Sequence, residues 1–230
     1  MFDLTYIIFM IPALLFASWA QAKVNSTFKK YSSVLSARRM TGREAARRIL
    51  DANGLYNVEI KRVSGQLTDH FDPRTNTVSL SDSVYDNYSV AAIGVAAHES
   101  GHAVQHAVGY GPMKLRAAII PITNIGSRLA VPLIILGLIL SFYELSYIGC
   151  ICFATSAVFQ LVTLPVEFNA SNRALKALAD TGILGSNELA GSKKVLSAAA
   201  MTYVAALATA LLELLYWIVK IMANNNRRRQ

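Results

Sequence analysis

Charged side chains are scarce in this chain: Asp, Glu, Lys and Arg make up 16% of its 230 residues, whereas 53% are hydrophobic. This composition excludes a disordered protein and argues against a soluble enzyme of two domains. Acidic residues are fewer than basic ones, with 14 Asp and Glu against 22 Lys and Arg. On so apolar a chain, the net charge of +8 indicates contact with the surface of a lipid bilayer. No nucleic-acid partner is expected, because no stripe of Lys and Arg interleaved with aromatic residues is present.

Cysteine is nearly absent as well. The two cysteines, Cys150 and Cys152, lie inside an apolar run. Two thiols in such a place exclude a disulfide framework and a tetrathiolate zinc site. We interpret them as reduced packing residues.

Four apolar runs are long enough, or nearly so, to cross a hydrocarbon core of roughly 30 Å, which takes about 20 helical residues. They cover residues 4–22, 129–142, 147–166 and 198–222. The second run could begin as early as Ala117, but Pro121 and Pro132 interrupt it, so a kink or an interfacial start is expected. The sequence therefore predicts a mainly α integral membrane protein with about four transmembrane helices.

The distribution of basic residues predicts the orientation of these helices. Asp3 precedes the first run without any Lys or Arg, whereas five basic residues follow it: Lys23, Lys29, Lys30, Arg38 and Arg39. Because basic loops stay in the cytoplasm, the segments 23–116 and 167–197 are predicted to be cytoplasmic. Residues 1–22 form an anchor, 117–166 a transmembrane hairpin, and 198–230 a last membrane helix with a basic tail. The tail residues Arg227–Arg229 would then lie outside, against the rule, unless the last helix is re-entrant or lies on the surface.

A cleaved signal peptide is the alternative interpretation of the N-terminus, since Ala20-Gln21-Ala22 resembles a cleavage site. We favour a retained anchor, because the preceding apolar run is long and has no basic residue before it.

The segment 23–116 has the patterns of a small α+β domain. Thr41-Gly42-Arg43-Glu44 has the form of a capping box and begins a helix that stops at Asn53-Gly54. Residues 58–63 and 75–80 alternate as strands. An Ala-rich helix is predicted from about Ser89 to Gly109.

That helix contains His98-Glu99-Ser100-Gly101-His102, an H-E-x-x-H motif. Residues four apart lie on one helix face about 6 Å along its axis, so both imidazoles can bind one Zn²⁺. Glu99 then lies beside the metal, where it could take a proton from a zinc-bound water and pass it to a leaving amine. The motif predicts the hydrolysis of an amide. The alternative interpretation is a solvated helix face that binds no metal.

A catalytic zinc site needs a third protein ligand, and the sequence offers several candidates. His106 lies another turn along the helix, too far for easy ligation, and is expected near the site or at the surface. The metzincin pattern would need Gly at 105 and His at 108, where this chain has Gln105 and Val108. From the residues alone we favour Glu167, since it follows the third apolar run on the predicted cytoplasmic side, ahead of Glu188 and Asp180.

Three stretches of the chain resemble the YugP family of membrane-bound neutral zinc metallopeptidases. They are 68–74, the helix with His98–His102, and 164–174, and the resemblance covers nearly the whole chain. It implies a zincin-like catalytic segment of gluzincin type, with His98, His102 and Glu167 as Zn²⁺ ligands and Glu99 as catalytic base. It also implies a peptide or membrane-protein substrate and a location in the bacterial plasma membrane.

The sequence departs from more distant relatives at one position. In HtpX-like and CAAX-prenyl-protease peptidases the helix of the third ligand commonly reads Glu-x-x-x-Asp, and Ser171 stands at the place of that Asp. The group that orients a zinc histidine must therefore come from another residue, or be the Ser171 hydroxyl.

Other residues near these motifs have competing interpretations. Asp69, His70 and Asp72 precede the 75–80 strand, which in zincins commonly lies at the rim of the cleft and pairs with extended substrate. For His70 we favour a turn or capping role.

For Arg173, pairing with Glu167 or a lipid phosphate is favoured over stabilising an oxyanion. Tyr203 is favoured as an interfacial residue over an oxyanion donor.

The expected function is that of an integral-membrane zinc endopeptidase acting at the cytoplasmic face. The alternative is a non-catalytic membrane adaptor with a structural or vestigial metal site, against which Glu99 argues, because a structural site needs ligands but no base. A transporter is not favoured, since Glu213 is the one carboxylate within the fourth run and the third run has none.

Overall fold

A computed structural model describes the backbone of residues 4–229 and the side chains of residues 4–226. Asp3 and the side chains of Arg227–Arg229, on which part of the predicted orientation depends, lie outside these bounds. Six helices and three strands follow one another along the chain: α1 (Leu4–Ser32), α2 (Gly42–Ala52), β1 (Glu59–Val63), β2 (His70–Asp72), β3 (Thr77–Ser81), α3 (Val90–Ala107), α4 (Gly111–Ile139), α5 (Tyr143–Asp180) and α6 (Ser186–Arg229).

Four of the helices, α1, α4, α5 and α6, are long and apolar enough to cross a membrane. The predicted mainly helical architecture with four candidate spans is thereby confirmed. The helix α4 differs in extent from the second apolar run: it begins at Gly111, before the earliest expected start at Ala117, and runs through Pro121 and Pro132 to Ile139. Membrane-type helices tolerate such prolines because neighbouring groups can satisfy the freed carbonyls.

The chain divides into two compact units. One comprises residues 4–20, 115–164 and 202–229, and the other comprises residues 21–114 and 165–201. The first unit holds the most apolar parts of the four long helices. Within it, Gly149 of α5 faces the backbone of α4, where an added Cβ would lie 2.8 Å from the Ala130 carbonyl oxygen. Cys150 is buried with Ile134 and Ile221, as expected of a packing residue.

The second unit contains the small sheet and the helices α2 and α3. The capping box of α2 is confirmed: the Thr41 hydroxyl accepts from the Glu44 N–H, and Glu44 Oε2 accepts from the Thr41 N–H at 2.8 Å. α3 begins at its cap Ser89, whose hydroxyl accepts from the Ala92 N–H. Two apolar clusters bury α3 from both sides, one against β3 through Val78 and Leu80, and one against Ile49 and Leu178.

The sheet has the order β1-β3-β2. β3 pairs in parallel with β1, and antiparallel with β2. Because β3 pairs with a strand on each side, the strand predicted over 75–80 cannot pair with an extended substrate, and that part of the expectation is wrong. The turn at 73–76, in which Asn76 has φ +53°, folds β2 back onto β3. β2 therefore pairs with the edge of β3 that we had expected to be free.

Candidate metal centre

α3 positions both histidines of the motif on one of its faces. His98 and His102 are one helical turn apart, and their ring centroids are 4.7 Å apart with the ring planes at 86°. His102 is buried and His98 is nearly so. The helix is held rigidly at this point, since the motif residues Glu99, Ser100 and Gly101 are themselves buried.

α5 brings Glu167 to the same place. The backbones of α3 and α5 almost touch where Gly101 faces Ala170, since a Cβ built at Gly101 would lie 2.7 Å from the Ala170 carbonyl oxygen. Only glycine permits so close an approach without displacement. Glu167 lies one turn before Ala170 and is 3% exposed. The close helix crossing therefore places a buried carboxylate directly opposite the two imidazoles.

The three side chains have the separations of a metal site. Glu167 Oε2 lies 3.2 Å from His98 Nε2 and 3.4 Å from His102 Nε2. All three ligand atoms lie within 4.8 Å of one another. Tetrahedral zinc with bonds of roughly 2.0 to 2.1 Å separates its ligand atoms by about 3.4 Å. Two imidazoles and one carboxylate at these distances fit such an ion.

Neutral groups contact the outer nitrogen of each histidine. Ser171 Oγ lies 3.1 Å from His98 Nδ1, and Gln105 Oε1 lies 2.9 Å from His102 Nδ1. Ser171, which stands where more distant relatives have Asp, is thus the residue that contacts the outer nitrogen of His98. Partners of this kind hold the orientation of metal-binding histidines.

Burial and charge perturb the titration of the site. Burial raises the pKa of Glu99, and the nearby Glu167 and Asp69 add to the rise while the two histidines oppose it. Burial lowers the pKa of His102, but its contact with Glu167 and the charge of Glu99 outweigh this effect, so that the pKa is raised overall. A metal ion can bind His102 only after the charged imidazole has lost a proton, so metal binding is expected to weaken as the pH falls.

The other predicted candidates lie elsewhere. His106 is exposed, and its ring contacts Phe71. Glu188 accepts from the Ala37 N–H at 2.6 Å and from the Gly185 N–H at 2.8 Å, so it caps α6. Asp180 is the exposed last residue of α5. None of these three belongs to the His98, His102 and Glu167 group.

The remaining residues that the sequence singled out lie on β2, α5 and α6. His70 lies on β2, which pairs with β3, and not in the turn or cap that we favoured. The sequence did not reveal this strand, because three residues are too few to show strand alternation. Arg173 donates from Nε to Asn169 Oδ1 at 2.8 Å. Tyr203 lies on α6, and Asp72 accepts from the Arg74 N–H in the turn after β2.

Sequence reasoning missed Gln105 and the role of Asp69. Asp69 accepts from both the backbone N–H and the hydroxyl of Ser81, and so fixes the start of β2 against the end of β3. Gln105 carries no motif of its own. Its position three residues after His102, on the same helix face, was the only indication of a contact.

Fold and site together define a membrane protein with a candidate metal centre of two histidines and one glutamate. The chain belongs to the family described as "Putative neutral zinc metallopeptidase", whose model matches residues 6–222. It is 49% identical over 214 residues to the protein named "Putative membrane protease YugP" of Bacillus subtilis (strain 168), covering 93% of this chain and 95% of that protein. The resemblance drawn from the sequence is confirmed by both findings. No solved structure matches the chain.

Proposed function

We propose that the protein is an integral-membrane zinc endopeptidase that hydrolyses peptide bonds at the cytoplasmic face of the plasma membrane. The observation that carries this proposal is the convergence of His98, His102 and Glu167, with Glu99 buried beside them. The family supports a peptidase, and the four candidate spans support a membrane location. The cytoplasmic orientation rests on the basic residues that follow α1.

His98, His102 and Glu167 would hold the zinc ion. The ion would supply a Lewis acid that polarises the scissile carbonyl and lowers the pKa of a coordinated water to about 7. Three protein ligands leave one position of a tetrahedron open, as a catalytic site requires. Glu167 is expected to neutralise part of the ion's charge from a position almost sealed from solvent.

Glu99 would act as the general base. It is next to His98 in the chain and is not part of the three-ligand group, so its carboxylate remains available for proton transfer. We expect one oxygen of Glu99 to accept a proton from the attacking water and to deliver it to the nitrogen of the leaving amine.

The edge strand β2 would hold the substrate. Its residues His70, Phe71 and Asp72 pair with β3 on one side. The opposite edge can add an extended peptide as a further strand, which would select for unfolded or extended segments of membrane proteins. In this respect β2 takes the role that the sequence assigned to the 75–80 strand of a zincin-like segment.

A non-catalytic adaptor remains the alternative. The position of Glu99 favours the peptidase, because burying an acid that binds no metal costs free energy that a purely structural site has no reason to incur. The two functions differ in one measurable respect, which is whether Glu99 matters once the metal is bound.

The decisive experiment compares Glu99→Gln with wild type, both purified in detergent, on an unfolded protein substrate. Glu59→Gln is the matched control, since Glu59 is an exposed residue of β1. We expect Glu99→Gln to keep its zinc and lose cleavage by roughly 100-fold or more, whereas Glu59→Gln keeps both. Equal cleavage by Glu99→Gln and wild type would show that the proposed mechanism is wrong.

A further inference from the structure

Near the candidate metal centre, the two polar atoms of the Gln105 amide contact two different helices. It is fully buried in the last turns of α3. Its Oε1 lies 2.9 Å from His102 Nδ1, on its own helix. Its Nε2 donates to the Val166 carbonyl oxygen of α5 at 2.8 Å and to Asn169 Oδ1 at 3.0 Å. Val166 immediately precedes Glu167 in the chain.

The direction of each hydrogen bond around Gln105 follows from two groups that can act in only one way. The Val166 carbonyl can only accept, so the amide nitrogen of Gln105 must face it. The Arg173 guanidinium can only donate, so the atom of Asn169 that it contacts at 2.8 Å must be the oxygen. That oxygen in turn requires a donor from Gln105.

The orientation of the Gln105 amide leaves its oxygen facing His102. An amide oxygen only accepts, so Nδ1 of the neutral His102 must carry the proton. The lone pair of the imidazole then lies on Nε2, the atom that points to Glu167 Oε2 at 3.4 Å.

We propose that Gln105 is a positioning residue of the metal centre, which holds neutral His102 in its Nδ1–H tautomer and ties it to the part of α5 that carries Glu167. This inference rests on the proposed zinc site. Gln105 acts through the outer nitrogen of His102 and through its hydrogen bonds to Val166 and Asn169 of α5, and not as a ligand of the metal.

His98 provides an internal comparison. Its outer partner, Ser171, has a hydroxyl that can donate or accept with equal ease. Ser171 therefore restricts the position of the His98 ring but does not select its tautomer. Loss of the Gln105 amide should consequently weaken zinc binding more than loss of the Ser171 hydroxyl.

The test uses Gln105→Leu, which keeps the volume and removes the amide, and Ser100→Ala as the control. Ser100 is equally buried in α3, and its hydroxyl donates to the Ala96 carbonyl, away from the ligands. Zinc dissociation constants are measured by chelator competition on the full chain in detergent, and ¹⁵N NMR of labelled histidines reports which nitrogen of neutral His102 carries the proton in the zinc-free protein.

We expect Gln105→Leu to weaken zinc binding by about 10- to 100-fold, the range found for outer partners of metal-binding histidines. Ser171→Ala should show a smaller loss, and Ser100→Ala should match wild type. The Nδ1–H signal of His102 should be present in wild type and diminished in Gln105→Leu. Should Gln105→Leu not fold, Gln105→Met replaces it, since its flexible apolar side chain fills the same space without an amide, and the same loss of zinc binding is expected.

Three results would overturn the inference. Zinc affinity in Gln105→Leu equal to that of Ser100→Ala would mean that the amide does not position His102, while the zinc site itself stands. An Nδ1–H signal of His102 that is as strong in zinc-free Gln105→Leu as in wild type would mean that the amide does not select the tautomer. Absence of zinc binding in wild type would overturn the proposed zinc site together with this inference.

Discussion

Replacing Gly101 by alanine tests whether the close contact of α3 and α5 sets the geometry of the metal centre. The added Cβ would lie 2.7 Å from the Ala170 carbonyl oxygen, and 3.3 Å and 3.4 Å from that residue's carbonyl carbon and Cα. All three atoms belong to the backbone, so no side chain can rotate to relieve the clash. Carbon and oxygen rarely approach closer than about 3.3 Å, so the helices must separate locally by about 0.6 Å.

A separation of that size is large for a metal site. Metal–ligand distances tolerate only about 0.2 Å, and Gly101 adjoins His102 while Ala170 lies one turn from Glu167. We expect zinc binding to weaken by about tenfold or more, since the third ligand moves away from the two histidines. Stability has two opposing contributions: alanine gains up to about 1 kcal/mol in helix propensity, whereas overpacking costs about 1 to 3 kcal/mol. The net effect is expected to be destabilising.

The assay is chelator competition for zinc together with thermal unfolding, on detergent-purified wild type, Gly101→Ala and Gly111→Ala. Gly111 is the matched control, because no atom lies within 4 Å of the Cβ that alanine would add there. Gly111→Ala should bind zinc as wild type does. If Gly101→Ala did the same and unfolded at a higher temperature, the argument that backbone contact fixes the ligand spacing would be refuted.

Three further predictions address the ligands, the pH dependence and the orientation. Plasma mass spectrometry should find about one zinc per chain in wild type and in Glu188→Ala, but a marked loss in Glu167→Ala; equal zinc in both variants would send the search for the third ligand elsewhere. Burial raises the pKa of Asp69, so the stability from this group is present at low pH and is lost as the pH rises through its folded pKa. Asp69→Asn does not titrate, so its unfolding temperature should rise relative to wild type as the pH is raised from about 3.9, the ordinary pKa of Asp, towards neutral, and an unchanged difference would contradict the shift. A cysteine placed at Ser64, in a chain without the two native cysteines, should react with an impermeant maleimide only after the cells are permeabilised; labelling of intact cells would reverse the proposed orientation.

The sequence was sufficient for the parts of the site that depend on local spacing. His98 and His102 are four residues apart, and any α-helix puts such residues on one face. Glu167 was found differently, from its place at the end of an apolar run and from the family resemblance. Neither argument could supply the distances of 3.2 and 3.4 Å, because these depend on how closely α3 and α5 approach at Gly101.

Two features escaped prediction for physical reasons. β2 has three residues, fewer than the alternation of a strand needs to be visible, and it exists because β3 supplies its hydrogen bonds. Gln105 was noticed only as a mismatch to the metzincin pattern. A buried amide has no characteristic spacing, and its importance follows from the partners Val166 and Asn169, which are about sixty residues away in the chain.

The bounds of α5 show that an apolar run does not predict the full length of a helix. The third run ended at residue 166, whereas α5 continues to Asp180. The continuation, residues 167–180, contains four Ala and two Leu, which favour a helix without an apolar surround. Hydropathy reports the part of a helix that avoids water, and propensity decides how far the helix extends beyond it.

The division of the three-residue group between α3 and α5 determines when it can form during synthesis. His98 and His102 leave the ribosome early, but Glu167 follows only after the whole of α4 and much of α5 have been made. A nascent chain that ends before Glu167 has two imidazoles and no third partner. Assembly of the group therefore has to wait until α4 and most of the apolar part of α5 have been made, and a chain truncated before Glu167 cannot form it.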